Sequence, residues 1–206
     1  MIAIIDYDAG NIKSVEKALQ ALGEEVLVTR DRKELLAADK VILPGVGSFG
    51  DAMGNLHDFG LVDVIHEIVD QGTPFLGICL GLQLMFQYSE ESPGVEGLGL
   101  FQGEVLRIPD KEGLKIPHMG WNSLHLQNKG RLFEGIPEQS YVYFVHSYYL
   151  KAKDEQIVKA TTEYSTHVHA SVEEGNVFAC QFHPEKSSDV GLAILKNFAS
   201  LGKEDV

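Results

Sequence analysis

Apolar and polar positions follow a strand-then-helix rhythm through the first half of the chain. Ile2–Ile5 and Val26–Val28 are short apolar runs bounded by polar or turn residues, and they read as buried strands. Between them, Asn11–Leu22 places Ile12, Val15, Ala18, Leu19 and Leu22 on one helical face, and Gly23 closes that helix. A short helix that Asp31 can cap comes next, followed by a strand at Val41–Leu43 and a glycine-rich loop to Gly50. Helical material over Leu61–Val69 leads to a strand at Phe75–Ile78. Leu80–Tyr88 then reads as a helix with Leu82, Leu84, Met85 and Phe86 on its apolar side. This order predicts a parallel sheet covered by helices on both faces.

The second half changes character. Leu100–Ile108, Trp121–Leu126, Tyr141–Leu150, Gln156–Thr161 and Val177–Phe182 are strand-like, with a turn at Glu174-Gly175-Asn176. A helix over Val190–Leu201 follows, and Gly202–Val206 is expected to be a frayed tail. The expected fold is α/β: a mixed, largely parallel sheet flanked by helices, with a more antiparallel second half. No linker or repeat divides it, so residues 1–206 are expected to form one domain.

Composition narrows the function classes. The 206 residues carry a formal charge of −13, which argues against nucleic acid or an anionic membrane as partner. Asp6 interrupts the N-terminal apolar run too early for a signal peptide or membrane span. Two cysteines without metal-ligand spacing predict a reducing, cytoplasmic setting.

The chemistry concentrates at Gly77-Ile78-Cys79-Leu80-Gly81. This is the thiol form of the nucleophile elbow, a tight strand-to-helix turn in which a Cβ two residues before or after the nucleophile would clash. The turn places Cys79 at a helix N-terminus, where roughly half a positive charge favours a thiolate. An isolated cysteine is more often an inert core residue, but glycines on both sides in this context make Cys79 a candidate nucleophile.

A base is offered by Gln181-Phe182-His183-Pro184-Glu185-Lys186. Pro184 pushes His183 towards extended geometry, and residues two apart in an extended segment face one side. Glu185 can then orient the His183 imidazole, completing a nucleophile–base–orienter set. His167 and His169 share a strand face suited to metal, but no third ligand accompanies them, and no metal site is expected. His57 and His66 lie in solvated helical surroundings.

Gly45-Val46-Gly47-Ser48-Phe49-Gly50 matches the dinucleotide fingerprint, yet Pro44 interrupts the direct strand-to-helix turn and no ribose-binding acid ends the next strand. If Val41–Leu43 neighbours the cysteine strand, this loop instead lies beside Cys79. An amide at Val46 or Gly47 would then join the Leu80 N–H as an oxyanion hole. A plain tight turn is the alternative.

The elbow Gly77–Gln83 together with His183-Pro184-Glu185 resembles the class I glutamine amidotransferases. The likeness extends over essentially the whole chain through Asp6-Tyr7 with Gly10-Asn11, Pro44–Phe49, Pro117-His118-Met119-Gly120-Trp121-Asn122, Phe144–Tyr148 and Gln181–Ser187. The resemblance implies a glutaminase acting on L-glutamine through a cysteine thioester, with no cofactor. Cys79, His183 and Glu185 would be catalytic, and the Val46 and Leu80 amides would hold the oxyanion. Gln83, Glu91, His146, Ser147 and Tyr148 would hold the amino-acid end of the substrate. Glu91 lies in a Glu-rich loop and reads equally well as a solvated acid.

The Met119-Gly120-Trp121-Asn122 segment resembles the branch of the family that serves histidine biosynthesis. That likeness implies a heterodimer with a (β/α)8 barrel cyclase subunit that receives the ammonia. Asn11, Met119, Trp121 and Lys186 match interface positions, with a core position for Trp121 as the alternative. The rival readings are a class I glutaminase of another pathway, a free-standing thiol hydrolase of γ-glutamyl compounds, and a non-catalytic regulatory subunit.

Overall fold

The computed structural model describes residues 1–202; the remainder of the predicted frayed tail lies outside the described residues. The first half runs β1 (Ile2–Ile5), α1 (Ile12–Ala21), β2 (Val26–Thr29), α2 (Arg32–Ala37), β3 (Lys40–Leu43), α3 (Phe49–Asp58), α4 (Leu61–Asp70), β4 (Phe75–Ile78) and α5 (Leu80–Leu84). Strands dominate the second half: β5 (Tyr88–Ser89), β6 (Gly103–Arg107), β7 (His118–Ser123), β8 (His125–Leu126), β9 (Tyr141–His146) and β10 (Tyr148–Ala152). They are followed by β11 (Val158–Tyr164), β12 (Thr166–Glu174), β13 (Val177–Cys180) and α6 (Ser188–Ser200).

The main sheet has the order β2-β1-β3-β4-β13-β12-β11-β8. Its first five strands are parallel and the last three pair antiparallel, the mixed arrangement expected. Four-residue apolar strands suit this position because both faces are covered. Ile2 and Ile4 pack with Val15 and Leu19 of α1 and Phe198 of α6, whereas Ala3 and Ile5 pack on the other face with Ile65 and Ile68 of α4. A small β10-β6-β5 sheet and a two-stranded β7-β9 ribbon complete the fold.

The structure corrects several expected elements. Helix α3 was not anticipated behind the glycine-rich loop. Ser48 caps it by accepting from the Asp51 N–H, and Phe49, Ala52, Met53 and Leu56 form its buried face, which outweighs Gly50 and Gly54. Helix α5 stops at Leu84 rather than Tyr88, because the Leu84 and Met85 carbonyls accept from Leu98 and Phe101 instead of continuing the helix. The expected strand 141–150 breaks at Ser147, with β9 joining β7 and β10 joining β6. The expected strand 121–126 likewise divides, since β7 pairs with β9 and β8 with β11. The strand face expected for His167 and His169 belongs to β12, which runs on to Glu174 although buried His169 and Ser171 interrupt its apolar pattern. Among the described residues, no helix is long and apolar enough to cross a membrane.

Candidate active site

Strands β3, β4 and β13 are neighbours, with Leu43 opposite Gly77 and Cys180 opposite Ile78. Their C-terminal ends therefore open at one edge, where parallel sheets place ligands. A cavity of about 310 Å³ lies there, reached by Val46, Gly47, Cys79 and Leu80. Gln83, Glu91 and the run 145–148 line it as well, so the residues expected at the oxyanion and substrate positions share one cavity with Cys79. Pro117 and Val145 join them without having been singled out.

Cys79 forms the expected elbow, with φ 56° and ψ −109°, a conformation that costs about 1–3 kcal/mol and is held by its surroundings. The Cys79 N–H donates to the Cys180 carbonyl at 2.8 Å. A Cβ on Gly77 would come within 2.7 Å of the Gly81 carbonyl oxygen, and one on Gly81 within 1.9 Å of the Leu43 carbonyl oxygen. The flanking glycines are thus steric requirements, as the spacing predicted. The other cysteine, Cys180, is fully buried, and burial, Glu185 and Cys79 together push its thiol well above the usual range.

His183 Nδ1 lies 2.7 Å from Glu185 Oε1, both side chains being fully buried. The reason differs from the expected one. Glu185 sits in a 3-10 turn over Pro184–Lys186, not in an extended segment, and the turn brings the carboxylate back under the ring. Burial opposes charge on His183, but Cys79 and Glu185 together raise its pKa to about 9. Its Nε2 makes no hydrogen bond, leaving that nitrogen free towards the thiol and an incoming substrate. Asn11, expected at a partner interface, donates from Nδ2 to Glu185 Oε1 at 2.6 Å. It does so from a left-handed backbone (φ 73°) at the start of α1 without capping that helix, so its side chain serves the carboxylate instead.

The expected oxyanion pair is not assembled. The Leu80 N–H donates to the Gly45 carbonyl at 3.3 Å. Because the peptide is planar and trans, the Val46 N–H points opposite to that carbonyl, away from Leu80. The glycine-rich loop therefore presents an acceptor where two donors are needed. Nor does it offer a phosphate cradle: the Phe49, Gly50 and Asp51 amides are engaged by Glu91 Oε2, Ser92 Oγ and Ser48 Oγ. The first of these contacts, at 2.8 Å, holds Glu91 at the start of α3, so it is a placed carboxylate rather than a solvated one.

A chain of polar groups unnoticed in the sequence runs beneath the cavity. His146 Nδ1 lies 2.8 Å from the Tyr148 carbonyl, an obligate acceptor, so Nδ1 carries the proton and Nε2 accepts. His118 Nδ1 must then donate to His146 Nε2, at 2.9 Å, and His118 Nε2 accepts from Asn122 Nδ2 at 3.3 Å. Burial holds both rings neutral, lowering His118 to about 4 and His146 to about 3. On the other side, Gln83 Nε2 donates to the same Tyr148 carbonyl and to Gln181 Oε1, while Gln181 Nε2 lies 3.7 Å from Cys79 Sγ. The period of two that puts Gln181 and His183 on one side was the available signal for Gln181.

Elsewhere, His167 pairs with Glu163, and His169 Nδ1 accepts from the Ala152 N–H; among the described residues no metal-binding cluster forms. Met119, Trp121 and Tyr141 project from one face of the β7-β9 ribbon at 62%, 52% and 59% exposure, so Trp121 is not core. Lys186, the last residue of the Pro184–Lys186 turn, is exposed. The same ribbon grips the His183 segment, the His183 N–H donating to the Tyr143 carbonyl and the Tyr143 N–H to Ser187 Oγ, both at 2.9 Å.

Comparison with known proteins bears on this geometry. The model of the family described as "Glutamine amidotransferase class-I" matches residues 3–200. The "Imidazole glycerol phosphate synthase subunit HisH" of Moorella thermoacetica is 55% identical over 97% of this chain and 94% of its own. The protein of the same name from Methanocaldococcus jannaschii is 51% identical over 98% of this chain and 100% of its own. Among solved structures, a glutamine amidotransferase superposes with a TM-score of 0.75 at 21% identity, covering 97% of this chain and 100% of its own, which speaks to the fold. The elbow, the buried His–Glu pair and these matches lead to one conclusion: the chain belongs to the class I glutamine amidotransferases.

Proposed function

We propose that this chain is the glutaminase subunit of an imidazole glycerol phosphate synthase in histidine biosynthesis, passing ammonia to a (β/α)8 barrel cyclase bound as a heterodimer. The observation that carries the reading is Cys79 on a strained elbow facing the free nitrogen of a buried His183–Glu185 pair. The full-length likeness to proteins named as synthase subunits supports the pathway.

In the reaction proposed, Cys79 Sγ attacks the carboxamide carbon of L-glutamine and forms an S–C bond. His183 gives its Nε2 proton to the departing ammonia as the C–N bond breaks. Water then attacks the γ-glutamyl thioester while His183 takes its proton, and the S–C bond breaks to release glutamate and the thiolate. Glu91 meets the substrate ammonium, and Gln83, His146, Ser147 and Tyr148 frame the amino-acid end. Before either tetrahedral state is held, the Gly45–Val46 peptide turns over, freeing the Leu80 N–H and bringing in the Val46 N–H. One missing donor costs about 10²–10³ in rate, so the isolated subunit is slow. Docking through Met119, Trp121, Asn11 and Lys186 places the partner against the ribbon that grips the His183 segment.

The test is glutamate release by the subunit alone, with the barrel, and with the barrel and its nucleotide ligand. Strong stimulation that Cys79→Ala abolishes supports the reading. Full activity without the barrel would overturn it in favour of a free-standing γ-glutamyl hydrolase, a reading that the engaged Leu80 amide already disfavours.

A further inference from the structure

We propose that Gln181 is a further catalytic residue, whose carboxamide donates a hydrogen bond to the Cys79 thiolate and receives the charge when the thioester breaks. This inference rests on Cys79 being the nucleophile. Gln181 follows directly on β13, its side chain is fully buried, and Nε2 lies 3.7 Å from Sγ. Its backbone is fixed by donation to the Ala170 carbonyl at 2.8 Å.

A carboxamide fits its site either way round, but here its direction is forced. The Tyr148 carbonyl accepts only, so the end of Gln83 that meets it, at 3.1 Å, is the amide nitrogen. The second hydrogen of that nitrogen points at Gln181, whose near atom, at 3.0 Å, must therefore be oxygen. The nitrogen of Gln181 is left facing Cys79. Reversing it would oppose two N–H groups at Gln83 and set a carbonyl oxygen against the sulfur. One backbone carbonyl thus orients the histidine chain on one side and the donor to the nucleophile on the other.

The chemical effect is differential. An N–H donor bonds strongly to a charged sulfur and weakly to a neutral thioester sulfur. As water adds to the thioester and the S–C electron pair returns to sulfur, His183 holds the proton taken from water and Gln181 meets the new negative charge. Gln181 therefore favours the thiolate that leaves in deacylation, from a position outside the lining of the cavity.

The test uses the full chain. Alkylation of Cys79 by iodoacetamide, read on the Cys79-containing peptide, is followed against pH for the native chain, Gln181→Leu and the near-isosteric Gln181→Met, neither of which offers an N–H or O–H to the sulfur. Loss of the donor is expected to move the alkylation profile to higher pH and to slow alkylation at neutral pH by about tenfold, with Gln83→Leu giving a smaller change in the same direction. In acid-quenched turnover with the barrel, Gln181→Met is expected to lower kcat about tenfold with little change in KM and to accumulate the γ-glutamyl adduct. Gln181→Met keeps the cavity filled, so it reports even if Gln181→Leu does not fold. Profiles that superimpose on that of the native chain, with no adduct accumulating, would overturn the inference. Activity surviving Cys79→Ala would instead remove the nucleophile assignment on which it stands.

Discussion

Burial by itself drives an imidazole towards neutrality, yet His183 has a pKa near 9 because Cys79 and Glu185 face it from two sides. The raised value has a defined sign. The charged pair contributes stability fully below about pH 6.5, and that contribution is lost as pH rises through about 9. In the proposed reaction the imidazolium is the acid that protonates departing ammonia, so the basic limb of kcat/KM is expected near the same pH. Glu185→Gln keeps an acceptor for Nδ1 but removes the charge. Its basic limb should shift to lower pH and kcat should fall by about 10²-fold or more, measured as a pH–rate profile with the barrel bound. Unchanged position of that limb would show that Glu185 only anchors the ring. The residue types of this pair were readable from the chain, but the route by which they meet was not. Alternation along an extended segment predicts Glu185 beside His183, whereas a 3-10 turn brings it there by folding back.

The elbow is the element most fully legible in the sequence, because its constraint is local and steric. Gly81→Ala is expected to drive a methyl into the Leu43 carbonyl, 1.9 Å from the ideal Cβ position. Overpacking of this kind costs about 1–3 kcal/mol, read as a lower midpoint in denaturant, and displacing the turn should also slow Cys79 alkylation. A variant as stable as the native chain would mean that β3 yields at no cost. Other elements depend on partners distant in sequence. Helix α5 ends where Leu98 and Phe101 take its carbonyls, and the apolar run over 141–150 divides because each half meets a different strand. A β-period pattern records that a strand exists and which side is apolar, but not which neighbour supplies its hydrogen bonds.

Across the whole molecule, the exposed face of the β7-β9 ribbon stands out against a surface of net negative charge. Trp121→Ala should change the stability of the isolated chain by less than about 0.5 kcal/mol, as an exposed side chain. If the proposed barrel docks on this face, the variant is expected to weaken that complex by about 2 kcal/mol, roughly thirtyfold in Kd by titration calorimetry, as the loss of a buried aromatic anchor does. Equal affinity in the variant would move the interface elsewhere. The sequence by itself determined the layered α/β class, the cysteine elbow and the choice of His183 and Glu185 as candidate base and orienter, since these follow from periodicity, glycine sterics and residue chemistry over a few neighbours. Tertiary structure alone decided the state of the oxyanion loop, the direction of the Gln83–Gln181 amides and the neutral histidine chain. Each of those depends on which carbonyl a folded neighbour presents, and Gly45, Tyr148 and Leu80 meet their partners only once β3, β4, β10 and β13 have come together.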